Sequence, residues 1–290
     1  MILVTGASGK VGVELTKCLR GMGTPFRAAF HSPVRAEEAR AAGLEAVALD
    51  YARAETLAPA LEEIETLFLL SPPHAIALEE AVIRAAKEAG VRRIVKLSVR
   101  GAEAGAFAFA RAHRAIEEKV ESSGMSYTFL RPGGFMQTYL LFAPTIRSQS
   151  AFYLPARDSR YNMIDTRDVA AVAAKILTEP GHEKKAYLLT GIDVLSNSEV
   201  AEQLSRAVGR TITYVDVTDQ QFLDAATASG MPRKLAEDIV DLQHYYISGA
   251  MVASTPWVER ITGRAPSGFE RFARDYAEAF RQDLVQGSGS

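Results

Sequence analysis

The sequence has few of the features that mark secreted, membrane-spanning or nucleic-acid-binding proteins. Its single cysteine, Cys18, excludes a disulfide within the chain and is typical of a protein from a reducing compartment. No apolar run approaches the roughly 18 residues of a membrane span, and no signal peptide is recognisable. The formal net charge of −2, from 33 basic and 35 acidic side chains, does not indicate a polyanionic partner. We therefore expect a cytoplasmic protein with no nucleic-acid or membrane partner, and a monomer or homodimer.

Short apolar runs alternate with amphipathic stretches through the first half of the chain. The runs predict strands at 2–5, 26–30, 45–49, 66–70, 93–97 and 126–130. The stretches between them predict helices at 11–22, 35–42, 55–61, 76–89 and 109–122. Strands and helices that alternate at this spacing indicate βαβ units with right-handed crossovers. The predicted fold class is α/β, a Rossmann-type doubly wound parallel sheet with ligand chemistry at the carboxyl ends of its strands.

The pattern loosens after Arg131-Pro132, where prolines punctuate shorter elements. We expect residues 1–150 to form a dinucleotide-binding domain whose sheet is completed by a strand near 186–190. Residues 151–286 are expected to form a smaller lobe over the substrate, with helices at 198–208 and 219–229. The last four residues, 287–290, read Gly-Ser-Gly-Ser, are typical of an appended linker, and are set aside.

A glycine-rich loop joins the first predicted strand to the first predicted helix. Gly6 allows the tight turn, Gly9 lets backbone N–H groups approach a pyrophosphate, and Gly12 allows close packing. The helix N-terminus that follows favours an anion through its N–H groups and its dipole. We predict that the loop binds a dinucleotide through Gly6, Ser8, Gly9, Lys10, Val11 and Gly12.

The end of the second strand decides which dinucleotide is bound, because an acidic residue there would hold the ribose of NAD. The chain instead has His31, Ser32 and Arg35, which can contact a 2′-phosphate and so favour NADP over NAD. The alternative is an exposed arginine at a helix start beside an incidental histidine. Asp50 is predicted beside the adenine, or else as a surface turn residue. Ser71 and Pro72, after the fourth strand, are expected to line the cofactor.

Several motifs along the chain carry a family resemblance. They include Thr5-Gly6-x-x-Gly9-x-x-Gly12, His31-Ser32-Pro33, Leu49-Asp50-Tyr51, Tyr127-Thr128-Phe129-Leu130-Arg131-Pro132 and Asp165-x-x-Asp168. Together they resemble the NmrA-like atypical short-chain dehydrogenases over about residues 1–280, especially the branch of quinone, triphenylmethane-dye and azo-dye reductases. The resemblance implies NADPH as hydride donor and a flat, electron-poor aromatic acceptor. The family also contains non-catalytic NADP-sensing regulators, and His31 stands where relatives often place an arginine.

The catalytic tyrosine and lysine of ordinary short-chain dehydrogenases are absent. Those enzymes use a serine and then Tyr-x-x-x-Lys on the following helix. Here Ser98 ends the fifth strand, while His113 and Glu117 occupy the spacing of the tyrosine and lysine. We predict Ser98, His113 and Glu117 as catalytic residues, with His113 as a proton donor. The alternative is a solvated helix face with an intrahelical pair.

An apolar stripe after the sixth strand supplies candidate substrate contacts. Phe135, Met136 and Tyr139 are predicted to contact a small aromatic substrate, with ordinary core packing as the alternative. The predicted function is NADPH-dependent hydride transfer, without flavin, directly to a conjugated acceptor of azo or quinone type. The alternative function is an NADP-binding redox-sensing regulator without turnover. Histidine, cysteine and carboxylate residues show no metal-ligand spacing, so no metal is expected.

Overall fold

The structure is a computed structural model of the chain, and it describes residues 1–281. The predicted tail at 287–290 lies outside the described residues. In chain order the strands are β1 (Ile2–Val4), β2 (Phe26–Phe30), β3 (Ala46–Ala48), β4 (Thr66–Leu69), β5 (Arg93–Leu97), β6 (Ser126–Pro132), β7 (Gly134–Phe135), β8 (Ala151–Leu154), β9 (Tyr161–Ile164), β10 (Lys185–Leu189), β11 (Val194–Leu195) and β12 (Thr213–Asp216). The α-helices are α1 (Lys10–Gly21), α2 (Pro33–Ala41), α3 (Leu57–Leu61), α4 (Glu79–Glu88), α5 (Ala108–Ser122), α6 (Ala143–Gln149), α7 (Thr166–Thr178), α8 (Asn197–Val208), α9 (Asp219–Ala228), α10 (Arg233–Ile247), α11 (Trp257–Thr262), α12 (Phe269–Asp275) and α13 (Ala277–Phe280).

These elements form two compact units, and each unit consists of three separate segments of the chain. Unit 1 consists of Met1–Gly133, Thr166–Thr190 and Thr255–Ala265. Unit 2 consists of Gly134–Asp165, Gly191–Ser254 and the described residues from Pro266 onward. Within residues 1–281, no helix combines the length and the apolar character that crossing a membrane requires.

Unit 1 is built on a seven-stranded sheet in the order β10-β6-β5-β4-β1-β2-β3. Every pairing is parallel, and Val4 of β1 lies opposite Ala28 on one side and Phe68 on the other. The crossovers therefore run in opposite directions from the centre, and the sheet has a topological switch point between β1 and β4. The predicted Rossmann-type fold is confirmed, including the strand predicted near 186–190, which is β10.

The central strands of this sheet are buried because helices cover both faces. Leu67, Phe68 and Leu69 of β4 have no exposed surface, and each contributes about 2 kcal/mol of transfer free energy by burial. Helix α1 packs against α7 and buries a stripe that repeats every four residues, Val11, Leu15 and Leu19. Helix α4 packs against both α3 and α5, and Leu61, Val82 and Val120, one residue from each helix, lie in the same core.

Unit 2 contains two small sheets, β11-β9-β7 and β12-β8. Its core is aromatic, and the Tyr139 ring meets the Phe152 ring edge-on at 5.5 Å and the Phe269 ring edge-on at 5.4 Å. Helix α8 begins with a capping box, in which Ser196 and Glu199 satisfy each other's backbone N–H groups. Such a cap fixes the start of a helix that buries Val200 and Leu204.

The division into units differs from the predicted boundary at residue 150. The chain leaves the large sheet after Gly133, whose N–H donates the last ladder bond to the Leu189 carbonyl at 2.9 Å. It returns at α7, which was not predicted and which buries Val169, Val172 and Ile176 in unit 1. Residues 166–190 and 255–265 therefore belong to the dinucleotide-fold unit, not to the smaller lobe.

Candidate functional site

The loop between β1 and α1 forms a tight cradle of backbone at the switch point of the sheet. Gly6 has a φ of +62°, a left-handed conformation that side chains other than glycine rarely adopt. The Gly9 N–H donates to the Gly6 carbonyl oxygen at 2.8 Å. A Cβ atom on Gly12 would lie 2.1 Å from that same oxygen. The loop therefore excludes side chains where it turns, and α1 begins with Gly9 as its N-cap and with no side-chain cap from the described residues.

A second turn, after β4, lies beside this cradle and is held by buried hydroxyl groups. Thr5 Oγ1 accepts from the Leu70 N–H at 2.8 Å and lies 2.9 Å from the Phe68 carbonyl oxygen. The Tyr51 hydroxyl donates to the Leu70 carbonyl at 2.9 Å. Burial raises the pKa of Tyr51, so this hydroxyl keeps its proton. The turn that leads to Ser71 and Pro72 thus has a fixed position relative to the glycine loop.

The residues predicted to distinguish NADP from NAD lie after the carboxyl ends of β2 and β3. Ser32 is the N-cap of α2, and its side chain accepts from the Arg35 backbone N–H at 3.4 Å. The Arg35 side chain is exposed. The exposed His31 ring has its Nδ1 3.9 Å from Asp50 Oδ1. Asp50 also closes a local turn, because its Oδ1 accepts from the Ala52 N–H at 3.0 Å. The structure therefore supports the turn role that was one of the two alternatives for Asp50.

Two of the predicted catalytic residues, Ser98 and His113, each carry a buried polar atom that finds no hydrogen-bond partner among residues 1–281. Ser98 is 4% exposed, and its backbone N–H is fixed on the Leu130 carbonyl at 2.7 Å. Within the described residues neither Ser98 Oγ nor His113 Nδ1 has a hydrogen-bond partner, although both atoms are buried. Burial, and then the charge of Lys96, lower the pKa of His113 well below 6.5. The ring is therefore neutral at pH 7, which does not suit the proton-donor role predicted for it.

The third predicted catalytic residue, Glu117, has a structural partner instead. Arg131 of β6 donates to both of its carboxylate oxygens, from Nε at 2.9 Å and from a terminal nitrogen at 2.7 Å. Arg114 adds a third bond at 3.2 Å. This fully buried carboxylate has its charge-assisted bonds satisfied by two arginines. The predicted catalytic role for Glu117 and the alternative pairing with His113 are both replaced by an ion pair that fastens α5 to β6.

A buried ion pair between Glu79 and Lys96 was not predicted from the sequence. Lys96 Nζ lies 2.8 Å from Glu79 Oε2, and both side chains have no exposed surface. Ser71, predicted as a cofactor residue, donates from Oγ to Glu79 Oε1 at 2.7 Å. The signal was present in the sequence, because a lysine interrupts the otherwise apolar β5 run Ile94-Val95-Lys96-Leu97.

The predicted substrate contacts belong to unit 2 and differ in their exposure. Met136 and Tyr139 are 0% and 3% exposed. The Tyr139 hydroxyl donates to Asn197 Oδ1 at 2.6 Å and lies 2.9 Å from the Tyr161 hydroxyl. These contacts favour core packing for Met136 and Tyr139. Phe135 is half-buried and stays a candidate substrate contact.

A parallel sheet with a topological switch point and a glycine cradle at that point defines the Rossmann type of fold, in which dinucleotides bind at the switch point. The comparison with known families is more specific. The model of the NmrA-like family matches residues 1–265. The chain belongs to the NmrA-like family, as its motifs predicted.

The chain is similar to several reductases over almost its whole length. It is 37% identical to the NAD(P)H azoreductase of Xenophilus azovorans, over 97% of this chain and 99% of that one. It is 36% identical to the (4-alkanoyl-5-oxo-2,5-dihydrofuran-3-yl)methyl phosphate reductase of Streptomyces griseus, over 97% and 99% of the two chains. Among solved structures, it is similar to the NADPH-dependent quinone oxidoreductase of Escherichia coli complexed with NADPH. That likeness has a TM-score of 0.85 and 28% identity, and it covers 95% of this chain and 99% of the other.

Proposed function

We propose that the protein is an NADPH-dependent reductase that passes a hydride to a flat, conjugated acceptor of azo or quinone type. The observation that carries the proposal is the glycine cradle, where a Gly12 Cβ would meet the Gly6 carbonyl at 2.1 Å. Such a close approach of backbone to backbone serves the binding of a pyrophosphate at the start of α1. The names of the three relatives described above, two reductases and one oxidoreductase, support the same class of reaction.

In this proposal the dinucleotide is held by the glycine loop and by the ends of the neighbouring strands. Gly6, Ser8, Gly9, Lys10, Val11 and Gly12 would contact the pyrophosphate through the loop and the first turn of α1. Ser32 and Arg35, at the start of α2, would hold a 2′-phosphate, with His31 beside them. No carboxylate follows β2 directly, which favours NADP over NAD. Ser71 and Pro72 would line the nicotinamide half.

When bound, NADPH supplies a hydride to the acceptor without a flavin. The acceptor becomes an anion whose charge spreads over its conjugated system, so it needs less acid assistance than a simple ketone does. Ser98 Oγ and the neutral His113 ring can each offer a hydrogen bond to that anion. The proton that completes the product then comes from water, and His113 serves as a hydrogen-bonding group. Phe135 is the proposed apolar contact for the acceptor.

The test is NADPH oxidation, followed by absorbance at about 340 nm, against a panel of quinones, azo dyes and electron-poor enones. The panel is run with protein free of flavin, and the same panel with NADH sets the cofactor preference. Turnover with at least one conjugated acceptor is expected. Tight NADPH binding without turnover on any acceptor would refute the reductase proposal and favour a redox-sensing regulator.

A further inference from the structure

The Glu79–Lys96 ion pair lies inside unit 1 and has no role in holding a dinucleotide through the glycine loop. Lys96 Nζ contacts Glu79 Oε2 at 2.8 Å and donates to the Leu97 carbonyl at 2.8 Å. Its neighbours on β5, Ile94, Val95 and Leu97, are buried and apolar. The pair therefore places two opposite charges in an apolar environment at the carboxyl end of the sheet.

Stability alone does not account for such a pair. Removing two ions from water costs several kcal/mol per ion, and the attraction between them offsets this cost only when the geometry is good. Replacing a buried pair with apolar residues of similar volume is often neutral or stabilising. A buried pair at the end of a sheet where ligand chemistry is expected is therefore a candidate for function.

The pair has a fixed orientation. Ser71 Oγ donates to Glu79 Oε1 at 2.7 Å, which ties the carboxylate to the turn after β4. The pKa of Tyr51 is raised by burial and then by the Glu79 charge, whereas the pKa of His113 is lowered by burial and then by the Lys96 charge. The Glu79 charge therefore affects Tyr51, just after β3, and the Lys96 charge affects His113 on α5.

We propose that Glu79 and Lys96 are positioning residues of the reductase. In this proposal, Glu79 holds the Lys96 ammonium at the carboxyl end of β5, on the side that faces His113. There its positive charge favours the anion that forms on the acceptor. The inference rests on the proposed function. The acceptor gains the hydride that NADPH loses as it becomes NADP⁺, and the resulting anion takes a proton from water. Lys96 keeps its own proton throughout and acts by its charge.

The experiment compares the double variant Lys96→Met/Glu79→Gln with wild type. The variant keeps side-chain volume, and the amide introduced at position 79 can still accept from Ser71. Lys119→Met/Glu80→Gln is the matched control, because this pair also involves the first turn of α4 but joins it to α5, at 3.1 Å, with both side chains about half exposed. We expect kcat of the double variant to fall by roughly 10-fold, with the KM for NADPH unchanged. The control should keep wild-type kcat.

A second readout needs neither NADPH nor an acceptor. The pKa of His113 is measured in the ligand-free protein by NMR titration of the ring protons. Losing the Lys96 charge should raise this pKa, while burial still holds it below the ordinary value. The control pair should leave it unchanged. An unchanged pKa in a folded variant would show that the Lys96 charge does not reach His113.

The outcomes separate the inference from the proposed function. If wild type oxidises NADPH with none of the acceptors, the proposed function fails, and the inference fails with it. If wild type turns over and the folded double variant keeps the wild-type kcat, the inference is overturned and the reductase proposal stands. If the double variant does not unfold cooperatively, Lys96→Gln/Glu79→Gln takes its place. That variant retains hydrogen bonds at Leu97 and Ser71, and the same two changes are expected of it.

Discussion

The tightest contact of the glycine loop makes Gly12→Ala the most informative substitution in the chain. An added Cβ would lie 2.1 Å from the Gly6 carbonyl oxygen and 2.8 Å from the Gly6 carbonyl carbon. Ordinary carbon–oxygen contacts are about 3.3–3.6 Å long, so the two backbone segments must separate by more than about 1 Å. The Gly6 carbonyl resists this movement, because it accepts the Gly9 N–H at 2.8 Å. We expect a loss of about 2–3 kcal/mol in the free energy of unfolding, the upper part of the range for overpacking.

Gly21→Ala is the matched control on the same helix. A Cβ on Gly21 would meet no atom within 4 Å, so the substitution should stabilise the protein by up to about 1 kcal/mol through helix propensity. Denaturant unfolding measures both free energies, and quenching or enhancement of NADPH fluorescence measures the dissociation constant. Displaced N–H groups in Gly12→Ala should raise that constant by more than about 10-fold.

Two results would refute this reasoning in different ways. Wild-type stability in Gly12→Ala would mean that the loop moves apart freely and that the close approach is not a constraint. A destabilised variant that still binds NADPH with wild-type affinity would instead place the dinucleotide away from this loop.

Three further substitutions test other parts of unit 1, and a fourth, in unit 2, is the control for the third. Arg35→Ala should raise the KM for NADPH by about 10-fold relative to that for NADH, measured by steady-state kinetics; an equal rise for both would remove Arg35 from the 2′-phosphate site. Because the folded protein holds His113 neutral, the unfolded chain binds more protons than the folded protein below about pH 6.5. The free energy of unfolding should therefore decrease as the pH is lowered from 7 to 5. His113→Asn should make this decrease smaller, as measured by denaturation curves at the two pH values. Arg131→Met should cost roughly 3 kcal/mol, since it removes the main partner of the buried Glu117, whereas Arg233→Met at the exposed pair with Glu237 should cost about 0.5 kcal/mol or less.

The strands of the large sheet could be predicted because both of their faces are covered. In such a sheet the central strands are continuous apolar runs, and β1 and β4 show this pattern clearly. Glycines that follow the helices, such as Gly90 with a φ of +81°, indicated where those helices end. Local pattern and tertiary burial therefore agreed across the first 133 residues.

Unit 2 could not be predicted in the same way, because its strands are too short to show a period. Strands β7 and β11 have two residues each, and their pairing with β9 depends on contacts between segments far apart in the chain. The boundary at residue 150 failed for a related reason. Helix α7 is apolar over much of its surface, with Val169, Val172 and Ile176 buried, and only packing on α1 reveals which unit it joins.

In the candidate site, too, the local sequence pattern could be predicted, whereas partners distant in the chain could not. The spacing of His113 and Glu117 predicts only that they share a helix face, and it cannot show that Arg131, on the next strand, takes both oxygens of Glu117. Lys96 was open to a stronger inference. A lysine within an apolar strand indicates a buried partner such as a carboxylate, and the topology places the start of α4 near the carboxyl ends of β4 and β5. Glu79 and Glu80 open that helix, but Glu80 is exposed, so Glu79 is the residue that completes the pair.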